Sequence, residues 1–138
     1  GTPMSQLMEK AETDMDVTGK MVSGGPMMGK ALNALDAPVV KGTSGVLLFK
    51  TSESQRPTVQ SCIRCGKCVQ VCPMGLEPIL LAQYGKMARY EDAETECIMD
   101  CIECGSCQYT CPSVRPLLDY IRLGKMKTGQ MIRNRGKK

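Results

Sequence analysis

Eight of the nine cysteines in this sequence stand in two groups of four. The groups are CIRCGKCVQVCP at 62–73 and CIECGSCQYTCP at 101–112, and each cysteine of the second group lies 39 positions after its counterpart in the first. Both groups follow the pattern C-x2-C-x2-C-x3-C-P. Thiolates are soft ligands that suit iron and zinc. The repeated pattern therefore predicts metal binding, and no residue of the sequence suggests a catalytic acid, base or nucleophile.

The spacing within each group is the one used by proteins that bind two [4Fe–4S] clusters. Three thiolates at steps of three residues come from one tight loop that wraps a corner of a cubane cluster. The fourth cysteine lies too far along the chain to reach that cluster comfortably, and it ligates the other one instead. We therefore predict one cluster on Cys62, Cys65, Cys68 and Cys111. The predicted ligands of the second cluster are Cys101, Cys104, Cys107 and Cys72.

Glycine and proline accompany both groups at equivalent positions. Gly66 and Gly105 each follow the second cysteine, where a residue without Cβ lets the backbone approach a cluster and adopt a positive φ. Pro73 and Pro112 follow the fourth cysteine and turn the chain away. Four apolar side chains are expected to limit the access of water to the clusters, or to pack in the core: Ile63, Ile102, Val69 and Val71.

Zinc and disulfide bonds are the alternative roles for these cysteines. A zinc ribbon needs two CxxC pairs and no third cysteine three residues later, although the absence of histidine would leave sulfur as the main ligand of either metal. Exported disulfide frameworks usually have an even number of cysteines at varied spacings. The clusters are favoured, with a reducing, cytoplasmic setting. For the ninth cysteine, Cys97, a small buried side chain is favoured over a spare ligand or a redox-active thiol.

Charge differs between the two predicted cluster loops. The formal net charge is +4, and two oxidised clusters with their thiolates would contribute about −4. Arg64 and Lys67 lie in the first loop, whereas Asp100 and Glu103 lie at the second. Because positive charge favours the reduced state of a cluster, we predict the lower reduction potential for the cluster held by the 101–107 loop.

The region after residue 50 is predicted to form a polar linker at 51–61, an α-helical ferredoxin domain at 62–127 and a basic tail at 128–138. Helices are expected at 76–92 and from Pro116 to about residue 126. The core candidates of the second helix are Leu117, Leu118, Ile121 and Leu123. A solvated, frayed tail is favoured over a docking strip for an acidic partner or anionic lipid. Nucleic-acid binding is not expected, because no aromatic residue interrupts the basic run.

Residues 1–50 give softer signals. The sequence predicts a helix with Thr2 as N-cap and Pro3 in its first turn, with Leu7 and Met8 on one face, and short strands in KMVSGG and PVVKGTSGVLLFK. The predicted fold class is therefore α+β. No phosphate-binding motif is present. No apolar run approaches the roughly 18 residues of a membrane span, and no secretory signal is visible. The sequence begins with Gly1, and we expect it to be a piece of a longer polypeptide.

Four features taken together resemble the C subunit of the Rnf electron transport complex: GTP at 1–3, SGGPMMGK at 23–30, PVVKGTSGVLLF at 38–49 and the two cysteine groups. The resemblance implies that residues 1–50 are the later part of a β-grasp domain of the soluble-ligand-binding type. It also implies a peripheral, cytoplasmic member of a membrane complex that passes electrons between ferredoxin and NAD and pumps ions. In that family FMN and NADH bind to an upstream domain.

The predicted function is an electron relay through two clusters, within an oxidoreductase that drives ion translocation. The expected partners are other subunits of the complex, including a ferredoxin-like iron–sulfur subunit. Three alternatives stay open: a free-standing ferredoxin-like carrier, an iron–sulfur flavoprotein of the cobalamin reductase type, and a purely structural metal domain.

Overall fold

The structure is a computed structural model, and it describes residues 1–136. The chain divides into two compact units, Gly1–Arg56 and Pro57–Lys138. The first unit combines a helix with a small antiparallel sheet, and the second is helical. The prediction of a mixed helix and strand structure is therefore confirmed. None of the described helices has both the length and the apolar character needed to cross a lipid bilayer.

The first unit is built on a three-stranded sheet. Helix α1 (Met4–Lys10) precedes strands β1 (Thr18–Ser23), β2 (Lys30–Ala31) and β3 (Val46–Lys50), and β1 lies between its two antiparallel neighbours. The register pairs Val22 with Ala31 on one side and with Leu47 on the other. The structure thus has one strand in KMVSGG and one in GVLLFK, as the sequence predicts.

Helix α1 begins at Met4, one residue later than predicted. Pro3 is the residue that precedes the helix, and no side chain caps it, so Thr2 is not the N-cap. Met4 and Met8 are buried four residues apart on one face, whereas Leu7 is exposed. The expectation for Met8 is confirmed, and the expectation for Leu7 is wrong because Met4 takes the inward position.

The linker predicted at 51–61 starts with ordered structure. Residues Thr51–Ser54 form a short helix, α2. A Cβ on Gly19 of β1 would lie 2.5 Å from the Cα of Thr51, so the glycine allows this turn to pack directly on the strand.

The second unit repeats one local structure. Its elements are α3 (Lys67–Gln70), α4 (Pro78–Lys86), α5 (Tyr90–Thr95), a 3₁₀ turn (Ile98–Asp100), α6 (Ser106–Tyr109) and α7 (Leu117–Arg135). Helices α6 and α7 begin 39 residues after α3 and α4, which is the offset of the cysteines. A helix after each cysteine group agrees with the predicted helical domain.

Positive φ angles repeat with the same offset. Gly66 has a φ of 72° and Gly105 a φ of 82°, and each immediately precedes a short helix. Arg64 and Glu103, at equivalent positions, have φ angles of 55° and 56°. The repeat is therefore a repeat of backbone conformation and extends beyond the cysteines themselves.

Helices α4 and α7 form the centre of the second unit. They cross at Gly85 and Gly124, where a Cβ on Gly124 would lie 3.1 Å from the Cα of Gly85. Apolar side chains from both helices and from the segment between them fill the core: Leu81, Ala82, Ala93, Ile98, Leu117 and Ile121. Removing these side chains from water is the main force that holds the two repeats together.

Two helix predictions need correction. The helix predicted at 76–92 is interrupted, because Ala88 has a φ of 57° and separates α4 from α5. The frayed tail predicted from residue 128 is wrong for the described part, since α7 continues to Arg135 and Thr128 is fully buried. Within this helix Leu117, Leu118 and Ile121 are buried as expected. Leu123 is exposed.

Candidate functional site

The cysteines of each repeat lie on a loop and the short helix that follows it. Cys62 and Cys65 are in the loop before α3, Cys68 is in the first turn of α3, and Cys72 lies two residues beyond its end. The left-handed glycine starts each short helix, and its carbonyl accepts the first helical hydrogen bonds, as from the Val69 N–H at 3.0 Å. The same turn thus places the third cysteine of each group, Cys68 or Cys107, at the start of its short helix.

A cavity of about 480 Å³ lies against the first loop. Its walls include Cys62, Cys65, Cys68 and, from the second repeat, Cys111. Cys72, the fourth cysteine of the first repeat, is not among the lining residues. Burial raises the pKa of the Cys68 thiol, and the nearby thiols of Cys111 and Cys62 raise it further. The four cysteines thus line one cavity.

The remaining cysteines show the same exchange in the other direction, because Cys72 of the first repeat lies near Cys101 of the second. Burial raises the pKa of the Cys101 thiol, and the neighbouring Cys72 contributes to the rise. Burial also raises the pKa of Cys107 to about 11, with smaller contributions from the thiols of Cys101, Cys104 and, across the repeats, Cys68. Cys72 therefore lies beside the second loop, and the two groups of thiols adjoin each other.

Two hydrogen bonds near the second loop involve its thiols. The backbone N–H of Glu103 donates to the sulfur of Cys101 at 3.4 Å. The sulfur of Cys104 and the hydroxyl of Ser106 are 3.5 Å apart, and the hydrogen bond to Ser106 lowers the pKa of Cys104. Donors directed at sulfur stabilise thiolates and raise cluster potentials.

Arg115 supplies an independent sign that an anionic group fits the first cavity. Its side chain lines the cavity, and its Nε is buried with no hydrogen-bond partner among residues 1–136. A buried guanidinium N–H without an acceptor is costly. Four thiolates around a cluster of net negative charge would provide acceptors, so the donor set and this orphaned N–H both suit a [4Fe–4S] group.

Comparison with known proteins bears on what this site is. Residues 54–112 match the 4Fe-4S dicluster domain family. The chain is 42% identical over 125 residues to the C subunit of the Na(+)-translocating ferredoxin:NAD(+) oxidoreductase complex of Acetobacterium woodii, an alignment that covers 91% of this chain and 28% of that protein. Over most of its length the chain is an Rnf C-subunit homologue. The resemblance found in the sequence is thus confirmed.

Other C subunits give similar matches. That of the proton-translocating ferredoxin:NAD(+) oxidoreductase complex of Clostridium ljungdahlii is 47% identical over 77 residues, which cover 56% of this chain and 17% of that protein. That of the ion-translocating oxidoreductase complex of Haemophilus influenzae is 41% identical over 132 residues, covering 95% and 20%. The chain spans less than a third of the length of these relatives. The dicluster match supports iron–sulfur clusters in this C-subunit homologue.

The charges at the second loop of this C-subunit homologue are arranged differently from the expectation. Glu103 is paired on both carboxylate oxygens, with Arg122 at 3.0 Å and Lys125 at 3.8 Å, both from α7. The three residues together carry a net positive charge. The lower potential is predicted from the negative charge of the second loop. The charge of Glu103 does not support that prediction, because Arg122 and Lys125 neutralise it.

The apolar residues beside the cysteines are more exposed than expected. Ile63 and Ile102 are 67% and 52% exposed, and Val69 and Val71 are also exposed, so none of them packs in the core. Cys97 is exposed rather than buried, and its sulfur lies 3.8 Å from the carbonyl oxygen of Thr95. No three Cys, Asp or Glu side chains in the part of the chain that the structure describes are close enough to hold a single metal ion.

Sequence reasoning missed three basic residues near the cysteine loops: Arg115, which lines the first cavity, and Arg122 and Lys125, which pair with Glu103. A signal for one of them, Arg122, was present in the repeat itself. Where the first repeat has Arg64 and Gln83, the second has Glu103 and Arg122 at the equivalent positions. This paired change of charge indicates that positions 103 and 122 meet in space.

Proposed function

We propose that this chain is an electron-relay module that holds two [4Fe–4S] clusters. One cluster would bind to Cys62, Cys65, Cys68 and Cys111, and the other to Cys101, Cys104, Cys107 and Cys72. The observation that carries the proposal is the composition of the cavity at the first loop, which includes Cys111 from the second repeat and leaves out Cys72. An exchange of the fourth ligand between repeats is the arrangement expected of two-cluster ferredoxins.

The clusters supply one-electron redox chemistry, and the chain supplies position, electrostatics and shielding. The left-handed turns at Gly66 and Gly105 set the cysteine loops in place. The N–H of Glu103 donates to the sulfur of Cys101, and Arg115, which lines the first cavity, has a buried Nε–H that a cluster could use as a donor. The thiol of Cys68 contributes to the raised pKa of Cys107, so thiols of the two groups lie near each other, which supports electron transfer between two clusters in series.

The relatives suggest the setting of this relay. Two of them are named as members of ferredoxin:NAD(+) oxidoreductase complexes, one Na(+)-translocating and one proton-translocating. By analogy, the chain would belong to a peripheral subunit on the cytoplasmic face of the cell membrane and would exchange electrons with neighbouring subunits, one of them a ferredoxin-like iron–sulfur protein. FMN and NADH would bind to a domain upstream of this region.

The first unit fits the later part of a β-grasp domain of the soluble-ligand-binding type. Its support is a short antiparallel sheet in the order β2-β1-β3 together with the helix α1. A domain of this kind has no evident use in a diffusing ferredoxin-like carrier. Its presence therefore favours a member of a fixed assembly over the free-standing carrier.

Iron and acid-labile sulfide analysis of the anaerobically reconstituted chain tests the proposal. We expect about eight irons and eight sulfides per chain from two four-iron clusters, with paramagnetic signals after reduction by dithionite. Stoichiometric zinc, or iron that cannot be reduced, would overturn the relay. Cys65→Ser and Cys104→Ser each remove one ligand of one loop, so each variant is expected to lose or alter one cluster while the other stays reducible.

A further inference from the structure

Two basic residues of α7 converge on a single carboxylate beside the second cysteine loop. Arg122 Nε donates to one oxygen of Glu103 at 3.0 Å, and Lys125 Nζ lies 3.8 Å from the other oxygen. The side chains of both basic residues are only 23% exposed. Because these charges are largely withdrawn from water, their interactions are screened less than those of an exposed ion pair.

Lys125 makes a second contact that brings its charge to a predicted cluster ligand. Its Nζ donates to the backbone carbonyl of Cys101. Burial raises the pKa of the Cys101 thiol, and the positive charge of Lys125 opposes that rise. The ammonium group is therefore held by a hydrogen bond to the Cys101 carbonyl and by an ion pair with the Glu103 carboxylate, close to the Cys101 thiol.

The first repeat has no such arrangement among its described residues. The equivalent of Lys125 is Lys86, whose Nζ lies 5.8 Å from the ring centroid of Tyr120. Arg64 and Gln83 occupy the positions of Glu103 and Arg122, and Arg64 is exposed. The two repeats share their backbone, yet the second fixes a lysine against the carbonyl of its first cysteine and the first does not.

We propose that Lys125 is a positioning residue that raises the reduction potential of the cluster bound by Cys101, and that Glu103 both holds and attenuates its charge. Reduction adds one negative charge to a cluster, and a nearby ammonium stabilises that state. The carboxylate acts in the opposite direction. This inference rests on the proposed function, since it requires a cluster on Cys101.

The test is a redox titration of the reconstituted 138-residue chain. Electron paramagnetic resonance monitors the reduction of each centre during the titration. Lys125→Met is expected to move the midpoint potential of one centre to a more negative value. Glu103→Gln, which preserves shape, is expected to move the same centre to a more positive value. Lys86→Met, the equivalent change in the first repeat, is the matched control. It should leave the midpoint potential of the centre on Cys101 unchanged. Cys65→Ser identifies the signal of the other centre.

Opposite shifts in a single centre are a result that a purely structural role for Lys125 does not produce. Unchanged potentials, or shifts of the same sign in Lys125→Met and Glu103→Gln, would overturn the inference. If Lys125→Met loses iron, Lys125→Gln, which removes the charge and keeps a donor for the Cys101 carbonyl, takes its place and should give the same negative shift, whereas Lys125→Arg should keep the potential closer to the parent value. Eight reducible irons with unmoved potentials would refute only this inference, whereas the loss of reducible iron in the parent chain would refute the relay as well.

Discussion

Gly85 and Gly124 are equivalent residues of the two repeats, and they touch each other where α4 crosses α7. A Cβ on Gly85 would lie 2.2 Å from the carbonyl oxygen of Tyr120 and 3.4 Å from the Cα of Gly124. Only a residue without a side chain fits there, because the nearest atom belongs to the backbone of the facing helix. This close approach sets how near the two cysteine-bearing repeats can lie.

The first prediction concerns this crossing. Gly85→Ala should destabilise the chain by roughly 1–3 kcal/mol or more, because the added methyl forces the helices apart. Gly129→Ala, in the same helix α7, is the control, since its Cβ would meet only the flexible Met99 side chain at 3.5 Å and the end of Arg133 at 3.7 Å. It should stabilise α7 by about 0.5–1 kcal/mol through helix propensity. Denaturant unfolding measures both, and equal effects would contradict the assigned role of Gly85.

A second prediction tests whether the basic C-terminal segment is structural. The hydroxyl of Thr128 donates to the Tyr90 carbonyl at 3.3 Å, and the residue is fully buried. Thr128→Val keeps the shape and removes the donor, so we expect a loss of about 1 kcal/mol in the free energy of unfolding. Thr95→Val removes an exposed hydroxyl that donates to the Glu91 carbonyl, and it should cost clearly less. Unfolding midpoints that fall equally in both variants would argue against this packing.

A third prediction tests the exchange of ligands between the repeats. Cys111→Ser should disturb the same cluster as Cys65→Ser, and Cys72→Ser the same cluster as Cys104→Ser. Cys97→Ser is the control, because Cys97 is exposed and lies outside the first cavity. It should retain the full iron content. Electron paramagnetic resonance spectra of each variant are compared with those of the parent. If both centres are undisturbed in Cys72→Ser and in Cys111→Ser, the proposed exchange of ligands is ruled out.

The fourth prediction concerns Arg115, which lines the first cavity and has a buried Nε without a hydrogen-bond partner among the described residues. Arg115→Met keeps much of the length of the side chain and removes both the charge and the N–H. We expect the potential of the cluster on Cys62, Cys65 and Cys68 to become more negative, since a donor to that cluster is lost. The equivalent residue at the other cluster is Leu76, and Leu76→Met should leave that potential close to the parent value. If Arg115→Met instead shifts the potential of the cluster on Cys101, Cys104 and Cys107, Arg115 does not act on the first cluster.

Much of the local structure of the second unit could be predicted from the cysteine spacing and the prolines. The repeat of 39 residues, the left-handed glycines and the helices that begin near Pro78 and Pro116 follow from local chemistry. These features depend on residues close together in the chain. For the same reason the spacing alone supports a reasonable hypothesis for the composition of each cluster site.

The length of α7 was harder to predict. Its second half contains Gly129, which disfavours helix, and a run of basic residues without acids, which suggests a solvated segment. Tertiary contacts reverse that preference: Thr128 is buried against α5, and Arg135 pairs with Glu94 at 2.6 Å. Such contacts join residues about 40 positions apart, so no local pattern reports them.

The break at Ala88 has a similar origin. Alanine favours helix, yet it has a φ of 57° here. The turn allows the Arg89 N–H to donate to the Tyr84 carbonyl and brings Ala93 into the core, where it is fully buried. Burial of α5 therefore outweighs the local preference of one residue.

The contact between equivalent glycines has a consequence for the symmetry of this domain. Two identical copies related by a twofold axis must touch through identical positions wherever the axis passes between them. Gly85 and Gly124 satisfy that condition within one chain. The surface that joins the two halves is therefore of the self-complementary kind through which two copies of one unit pair around a twofold axis.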